Sequence, residues 1–332
     1  MNTRGFRICY LLLFISLILP SLATADKANG GIIIFGDSLS DTGNRYYETG
    51  VATTPPYSEL LDYFLVPDGP YTRGGLNFSN GGPWIEQLAR STGQSGYVGP
   101  ALRNQGKASN YAYGGARAQS DIEIIENSNQ HLPEQVTNFL ADVNYSAPSD
   151  ALYIIFIGGN DIFDAMIAPI FVPIEDISDN IILLAFQSVV TQIMTLKAHG
   201  AEKFLILNAP DLGKTPAVKI AAATFSPQDP NYLIGEATRL SMFYNSLLHT
   251  YLYDVPGIEI IDIYVELDKI ISNPDDYGIS NTTDPCVMPE QPPYTCKNPD
   301  GYVFWDGIHP TSALHAIVAQ EAILKVSGRE PW

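Results

Sequence analysis

Ser38, Asp306 and His309 are the residues of this chain whose types and settings could do chemistry. Ser38 follows four consecutive apolar residues (Ile32, Ile33, Ile34, Phe35) and a breaking Gly36, within GIIIFGDSLSDTGN at 31–44. A serine at the carboxyl end of a buried parallel strand sits where open α/β sheets place their ligands. Near the other end of the chain, WDGIHP supplies Asp306 and His309 three residues apart. A serine hydroxyl is too weakly acidic to attack an ester unaided, but an imidazole can take its proton and a carboxylate can orient that imidazole. These are the parts needed for acyl transfer.

Two further polar clusters stand beside them. Asn110-Tyr111-Ala112-Tyr113-Gly114-Gly115-Ala116 puts two glycines after a short apolar stretch, and Gly158-Gly159-Asn160-Asp161 follows the apolar run 152–157. Each residue also has a plainer reading. Ser38 could cap a helix, Gly115 could serve a tight turn, and Asn160 could bond only backbone groups. Asp37 and Asp161 read better as braces of their turns than as chemical groups. His131, His199, His249 and His315 read as surface or helix residues, none with a carboxylate at a recognisable spacing.

The elements that must position these clusters alternate in type. Apolar runs predict strands at 31–35, 109–113, 152–157, 203–208 and 258–263. Helical patterns fall near 82–91, 133–142, 178–198 and 233–252, with a last helix from Pro310 to about Val326. Such alternation argues for a parallel sheet covered on both faces. All strand ends then lie on one edge, where the four clusters can converge. Pro310 suits the first turn of the last helix and would hold the chain rigid just at His309. No repeat or Ser/Gly linker divides the chain, so residues 26–332 are expected to form a single domain. The irregular stretch 273–300 carries six prolines, and its length predicts either a lid or a separately stapled excursion.

Composition narrows the function classes. Residues 1–25 combine Arg4 and Arg7, an apolar run from about Ile8 to Leu19, and Ala23-Thr24-Ala25. That pattern predicts a signal peptide cut before Asp26, and so a secreted or cell-surface protein. The run is short for a membrane span, and no later stretch of unbroken apolar residues reaches that length. Cys9 lacks the context of a lipid-modified cysteine. The whole chain has a net charge of −18, and removing the two leader arginines brings it to about −20. Nucleic acid and anionic lipid surfaces are therefore poor partners, and the acidity reads as solubility. Cys286 and Cys296 remain, and in an exported chain such a pair most simply forms a disulfide; metal binding by two thiols alone is the weaker reading. Stabilisation by that bridge is favoured over a lid, since no amphipathic helix accompanies it. Sequons occur at Asn77, Asn144 and Asn281.

No G-x-S-x-G elbow, H-E-x-x-H, P-loop or G-x-G-x-x-G occurs. What does occur resembles the GDSL esterase/lipase family of the SGNH hydrolases: FGDSLSDTGN, the two glycine-containing clusters and WDGIHP, in that order. RGGLNFSNGGPWIEQLA at 73–89 is similar to a segment of its secreted bacterial and plant members, except that Asn77 stands where a basic residue is usual. The resemblance covers residues 31–325. It implies an α/β, flavodoxin-like three-layer sandwich with a five-stranded parallel sheet. It implies Ser38 as nucleophile, His309 as base, and Asp306 as the orienting carboxylate. The oxyanion hole would comprise the backbone N–H groups of Ser38 and Gly115 and the side-chain amide of Asn160. No cofactor or metal is expected. The implied activity is secreted hydrolysis of carboxylic esters or lipids, with phospholipase A or acyltransferase chemistry as variants. A carbohydrate acetyl esterase is the enzymatic rival, and a catalytically silent binding module the rival of another class.

Overall fold

Four short apolar runs pair in parallel because each is hydrophobic on both faces and can be buried only between two helical layers. They are β1 (Ile32–Gly36), β2 (Leu152–Phe156), β3 (Lys203–Leu207) and β4 (Ile258–Ile261), in the spatial order β1-β2-β3-β4. The computed structural model describes residues 31–61, 64–104, 109–122, 124, 129–172 and 174–328. The leader expected over 1–25 lies outside the described residues.

The helices are α1 (Asn44–Thr49), α2 (Trp84–Ser91), α3 (Leu132–Asp142), α4 (Gly159–Phe171), α5 (Ile177–Ala198), α6 (Pro216–Phe225), α7 (Pro230–Leu252), α8 (Ile263–Ser272) and α9 (Ser312–Val326). Alternate strand residues serve the two layers. Ile33, Phe35, Tyr153, Ile155, Phe204 and Ile206 pack with α3 to α7. Ile32, Ile34, Ile154, Phe156, Leu205 and Leu207 pack with α2 and α9. Among the described residues one helix, α5, is long and apolar enough to cross a membrane. It packs against α3, α4 and α7 and buries Ile181, Ile182, Val189 and Ile193, the behaviour of a core helix.

The sheet differs from the expected five strands in one respect. Residues 109–113 do run beside β1, with Ile34 N–H donating to Ser109 O (2.8 Å), Tyr111 N–H to Ile34 O (2.8 Å) and Tyr113 N–H to Gly36 O (3.0 Å). The pairing with β1 closes as a single bridge at Asn110, not a full strand, because Gly36 N–H, which would continue the ladder, donates instead to the Gln135 amide (2.9 Å). The sheet proper therefore has four strands and a bridged fifth position.

Register sets the level of the site. Gly36 pairs with Phe156 and Leu207 with both Phe156 and Ile261, so the strands end together. Gly36 is required there, since a Cβ would lie 2.4 Å from Phe156 O. The segment 273–300 is not structureless. It contains β5 (Asn281–Pro285), which pairs in parallel with β6 (Tyr302–Phe304) in a second, two-stranded sheet. Cys286 and Cys296 are joined by a disulfide. Cys286 N–H donates to Phe304 O (3.0 Å) and Val287 N–H to Trp305 O (2.8 Å), so the bridged loop lies against the strand that leads to Asp306. No residue of 273–300 lines the cavity that holds Ser38 and His309.

Closing a loop this small removes about 3 kcal/mol of unfolded-chain entropy. The paired Cys286→Ser and Cys296→Ser variant is expected to melt several degrees lower than the parent, with unchanged acyl-length preference. Differential scanning calorimetry and an ester panel check both halves.

Candidate active site

Each cluster reaches the sheet edge by a different device. Beyond Gly36 the chain turns at once: Asp37 O accepts from Ser40 and Asp41 N–H (3.1 and 3.0 Å), and the Asp37 carboxylate accepts from Leu39 N–H (3.0 Å). Ser38 therefore sits at the head of a braced turn. It caps no helix, since α1 begins only at Asn44. The amide of Gln135 on α3 both accepts from Gly36 N–H (2.9 Å) and donates to Gly36 O (2.8 Å), fixing the end of β1.

At the other end, Trp305 N–H donates to His309 O (2.8 Å), which folds residues 305–309 into a tight loop. Asp306 is fully buried within it. Its Oδ1 accepts from the N–H of Ile308 (2.9 Å) and His309 (2.8 Å), and its Oδ2 from the hydroxyl of Tyr71 (2.8 Å). His309 Nδ1 lies 3.0 and 2.8 Å from the two carboxylate oxygens, and Nε2 lies 2.8 Å from Ser38 Oγ. A carboxylate only accepts, so the proton belongs on Nδ1 and Nε2 presents a lone pair to the serine. The Phe78 ring packs 5.1 Å from the imidazole. Ser79 Oγ donates to Pro310 O (2.8 Å) and Asn80 Oδ1 accepts from Ser312 N–H (2.8 Å). Pro310 precedes α9 by two residues and is not in its first turn; Thr311 is the cap.

Gly115 and Asn160 face the same cavity as Ser38 and His309. Gly115 has φ +84°, a left-handed backbone that glycine adopts freely. Its carbonyl accepts from Arg117 (2.7 Å), and Arg117 makes a buried two-point pair with Asp164 (3.0 and 3.1 Å). Asn160 Nδ2 donates to Ala116 O (2.9 Å), and Asp161 accepts from Ala118 N–H (2.8 Å). The first turn of α4 thus holds the 114–118 loop in place.

A family model described as GDSL-like Lipase/Acylhydrolase matches residues 32–322. The chain belongs to that family. Its relatives include a GDSL esterase/lipase of Arabidopsis thaliana, 24% identical over 98% of this chain and 96% of that protein. The phosphatidylcholine-sterol acyltransferase of Aeromonas hydrophila is 23% identical over 93% of this chain and 94% of that one. Among solved structures, a catalytic mutant of an acetylxylan esterase from Geobacillus stearothermophilus aligns with TM-score 0.45 and 13% identity, over 91% of this chain and 95% of that one. This GDSL protein is a serine ester hydrolase.

Several residues that hold the GDSL site together are not apparent from sequence reasoning about chemistry. Asp41 accepts from the N–H groups of Gly43, Asn44, Arg45 and Gly114 at 2.6–3.1 Å. Asn44 Nδ2 donates to Asn110 O and Ala112 O (both 2.8 Å), and Asn110 Nδ2 donates to Ser40 O (2.7 Å). Asp41 and Asn44 stand in the same FGDSLSDTGN stretch as Ser38, which was the available signal. Tyr71 and Phe78 carried no such signal. Asn77 is buried, with Nδ2 donating to Gly74 O (2.7 Å), so this sequon is closed to modification in the folded chain. One histidine, His131, departs from the surface-or-helix reading, and His315 keeps its place on a helix but is buried there. His131 is buried and its Nδ1 accepts from Arg117 N–H (3.0 Å); His315 is buried on α9 and lines the cavity. His199 and His249 do lie on helix ends or faces. No group of three or more potential metal ligands occurs among the described residues.

Tyr71 offers a direct check on the Asp306 environment. A hydrogen bond to a charged group is worth about 1.5–3 kcal/mol, so Tyr71→Phe is expected to lower kcat by about tenfold or more with KM little changed. Steady-state kinetics on a chromogenic ester reads this.

Burial raises Asp37 to about 6, against the N–H bond from Leu39 and the fields of His309 and Arg117. Burial likewise raises Asp161 to about 7, opposed by the Ala118 N–H and Arg117. Both acids hold protons in the folded chain at a pH where the unfolded chain has released them. Their stabilising contribution is full below about pH 4 and is lost as pH rises through 6–7. The melting temperature is expected to fall between pH 5 and 8, and Asp161→Asn, which cannot ionise, to flatten that fall.

Proposed function

We infer that this chain is an exported serine esterase or lipase that cleaves esters of medium to long acyl chains through a covalent acyl-enzyme. The observation that carries the reading is the unbroken relay from Ser38 Oγ to His309 Nε2 (2.8 Å) and from His309 Nδ1 to the buried Asp306 (2.8 Å). As Ser38 Oγ attacks the ester carbonyl, His309 Nε2 takes its proton, and Asp306 stabilises the imidazolium that forms. The oxyanion meets the N–H groups of Ser38 and Gly115 and the amide of Asn160, neutral donors fixed before the charge arrives. Collapse expels the alcohol, which receives the proton from His309. Water, or a second alcohol, then attacks the acyl-serine by the same route. The acyltransferase relative from Aeromonas hydrophila supports acyl transfer as a variant of this step.

Acyl length is argued from the cavity. It measures about 360 Å³ and presents Phe64, Val66, Ile157, Phe163 and Leu212 beside Ser38. Each buried methylene contributes about 0.8 kcal/mol, so octanoyl esters should outpace acetyl esters by about tenfold or more in kcat/KM. An acetyl esterase would leave that apolar wall unused. Export is supported by the Cys286–Cys296 bond, which persists in oxidising compartments.

An organophosphonate should add once to the protein, at Ser38 by peptide mapping, and Ser38→Ala should abolish both labelling and turnover. Asn160→Ala should lose about 10²–10³ in kcat. Labelling at another residue, or a loss below threefold in the Asn160 variant, contradicts these roles.

A further inference from the structure

One polar group in the cavity has no part in the relay. His315, the fourth residue of α9, is 3% exposed and lines the cavity. Its backbone N–H bonds Thr311 O (3.0 Å), but no described residue provides a hydrogen bond to its imidazole. Its surroundings do not make up the lack. Leu267, Ile270, Phe304, Leu314 and Val318 line the same cavity and are apolar. Glu266, also there, is taken by Lys269 Nζ (3.1 Å) and the Tyr277 hydroxyl (3.4 Å). Burial, and next the charge of His309, push the imidazole down to about 3, so it is neutral at working pH. A neutral imidazole offers one donor and one acceptor nitrogen, which matches a hydroxyl.

The position of His315 says which half of an ester it meets. His309 hands its proton to the departing alcohol, so that alcohol lies against His309, with the acyl chain directed away from it. α9 starts three residues after His309, and both imidazoles belong to the lining of the same cavity. The cavity wall carrying His315 is thus the alcohol side.

We propose that His315 forms an alcohol-side subsite that hydrogen-bonds a second hydroxyl on the alcohol half of the ester, so that monoesters of diols and polyols are preferred over esters of plain alkanols. This rests on the serine-relay reading given above.

The test uses the full chain and three octanoates: of propan-1-ol, of propane-1,2-diol and of glycerol at its primary position. One neutral hydrogen bond corresponds to about three- to tenfold. The wild type is expected to favour both hydroxylated esters over the propyl ester by that factor in kcat/KM. His315→Leu should bring the ratio to about one, whereas His315→Asn, which keeps a donor and an acceptor, should retain most of it. His315→Phe replaces the leucine variant if calorimetry shows that the latter is unfolded. A wild-type ratio near one, or a ratio that survives His315→Leu or His315→Phe, overturns the subsite. Organophosphonate labelling of Ser38 is run on the same samples. Normal labelling with a ratio near one sinks this proposal alone; failure to label Ser38 sinks the relay reading and the subsite with it.

Discussion

A buried carboxylate must be met by donors or it will not remain charged, and in this chain the support of the site follows from meeting that demand at Asp306. Four donors converge on it: the Tyr71 hydroxyl, two backbone N–H groups of its own loop, and the His309 imidazole. Each donor needs a support of its own. Tyr71 is held edge-on by Trp305 (5.6 Å) and Tyr57 (5.8 Å), in a cluster that includes Cys286. The disulfide loop, chemically silent, therefore belongs to the scaffold of the carboxylate. It shares one small buried cluster with Tyr57, Tyr71 and Trp305 and bonds the backbone of Phe304 and Trp305.

The side of the site that carries Gly115 and Asn160 follows the same rule. Asp41 gathers four backbone N–H groups, and Asp161 and Asp164 fix the loop that carries Gly115. These acids lie in the interior of a chain whose net charge is −18, and they are already occupied by amides and by Arg117. Their number says nothing of cation binding. It reflects how many turns at the sheet edge must be braced without secondary structure, where a carboxylate accepting two or three N–H groups replaces the missing ladder.

Much of this was legible in the sequence, for identifiable reasons. The buried strands announced themselves as unbroken apolar runs, and parallel pairing then forced Ser38, the glycine loop and Asn160 onto one edge. Asp306 and His309 were legible because their partnership is local, three residues within one loop. The helices α1, α4, α6 and α8 were not foreseen. α4 begins inside the Gly158–Asp161 cluster, where the glycines read as a turn, and it is apolar around most of its circumference and so lacks an amphipathic stripe. The fifth strand shrank to a bridge because the Gln135 amide takes the Gly36 N–H that would otherwise continue the ladder. Tyr71, Phe78 and Gln135 were invisible for a different reason. Their contacts span about a hundred residues or more, from Gln135 to Gly36, from Phe78 to His309 and from Tyr71 to Asp306, and only the fold creates them.

The site divides into a polar collar and an apolar chamber, and the two are specified differently. In the collar His309, Asp306 and Asn160 are each held by a hydrogen bond from another element, so a shift of their loops would break these bonds. Its geometry is fixed before substrate arrives, which is the condition under which neutral donors can stabilise an oxyanion without reorganising. The chamber has no such network. Its wall is built from side chains of α4, α8, α9 and the loop at 64–66, and substitution among apolar residues of similar size is tolerated there at small cost. Chemistry is therefore constrained by the collar, while selectivity can drift with the chamber. Sequence identity of 23–24% to relatives along nearly their full length is compatible with one reaction and different substrates. On that division, residues of the collar identify what the protein does, and only residues of the chamber can say to which ester.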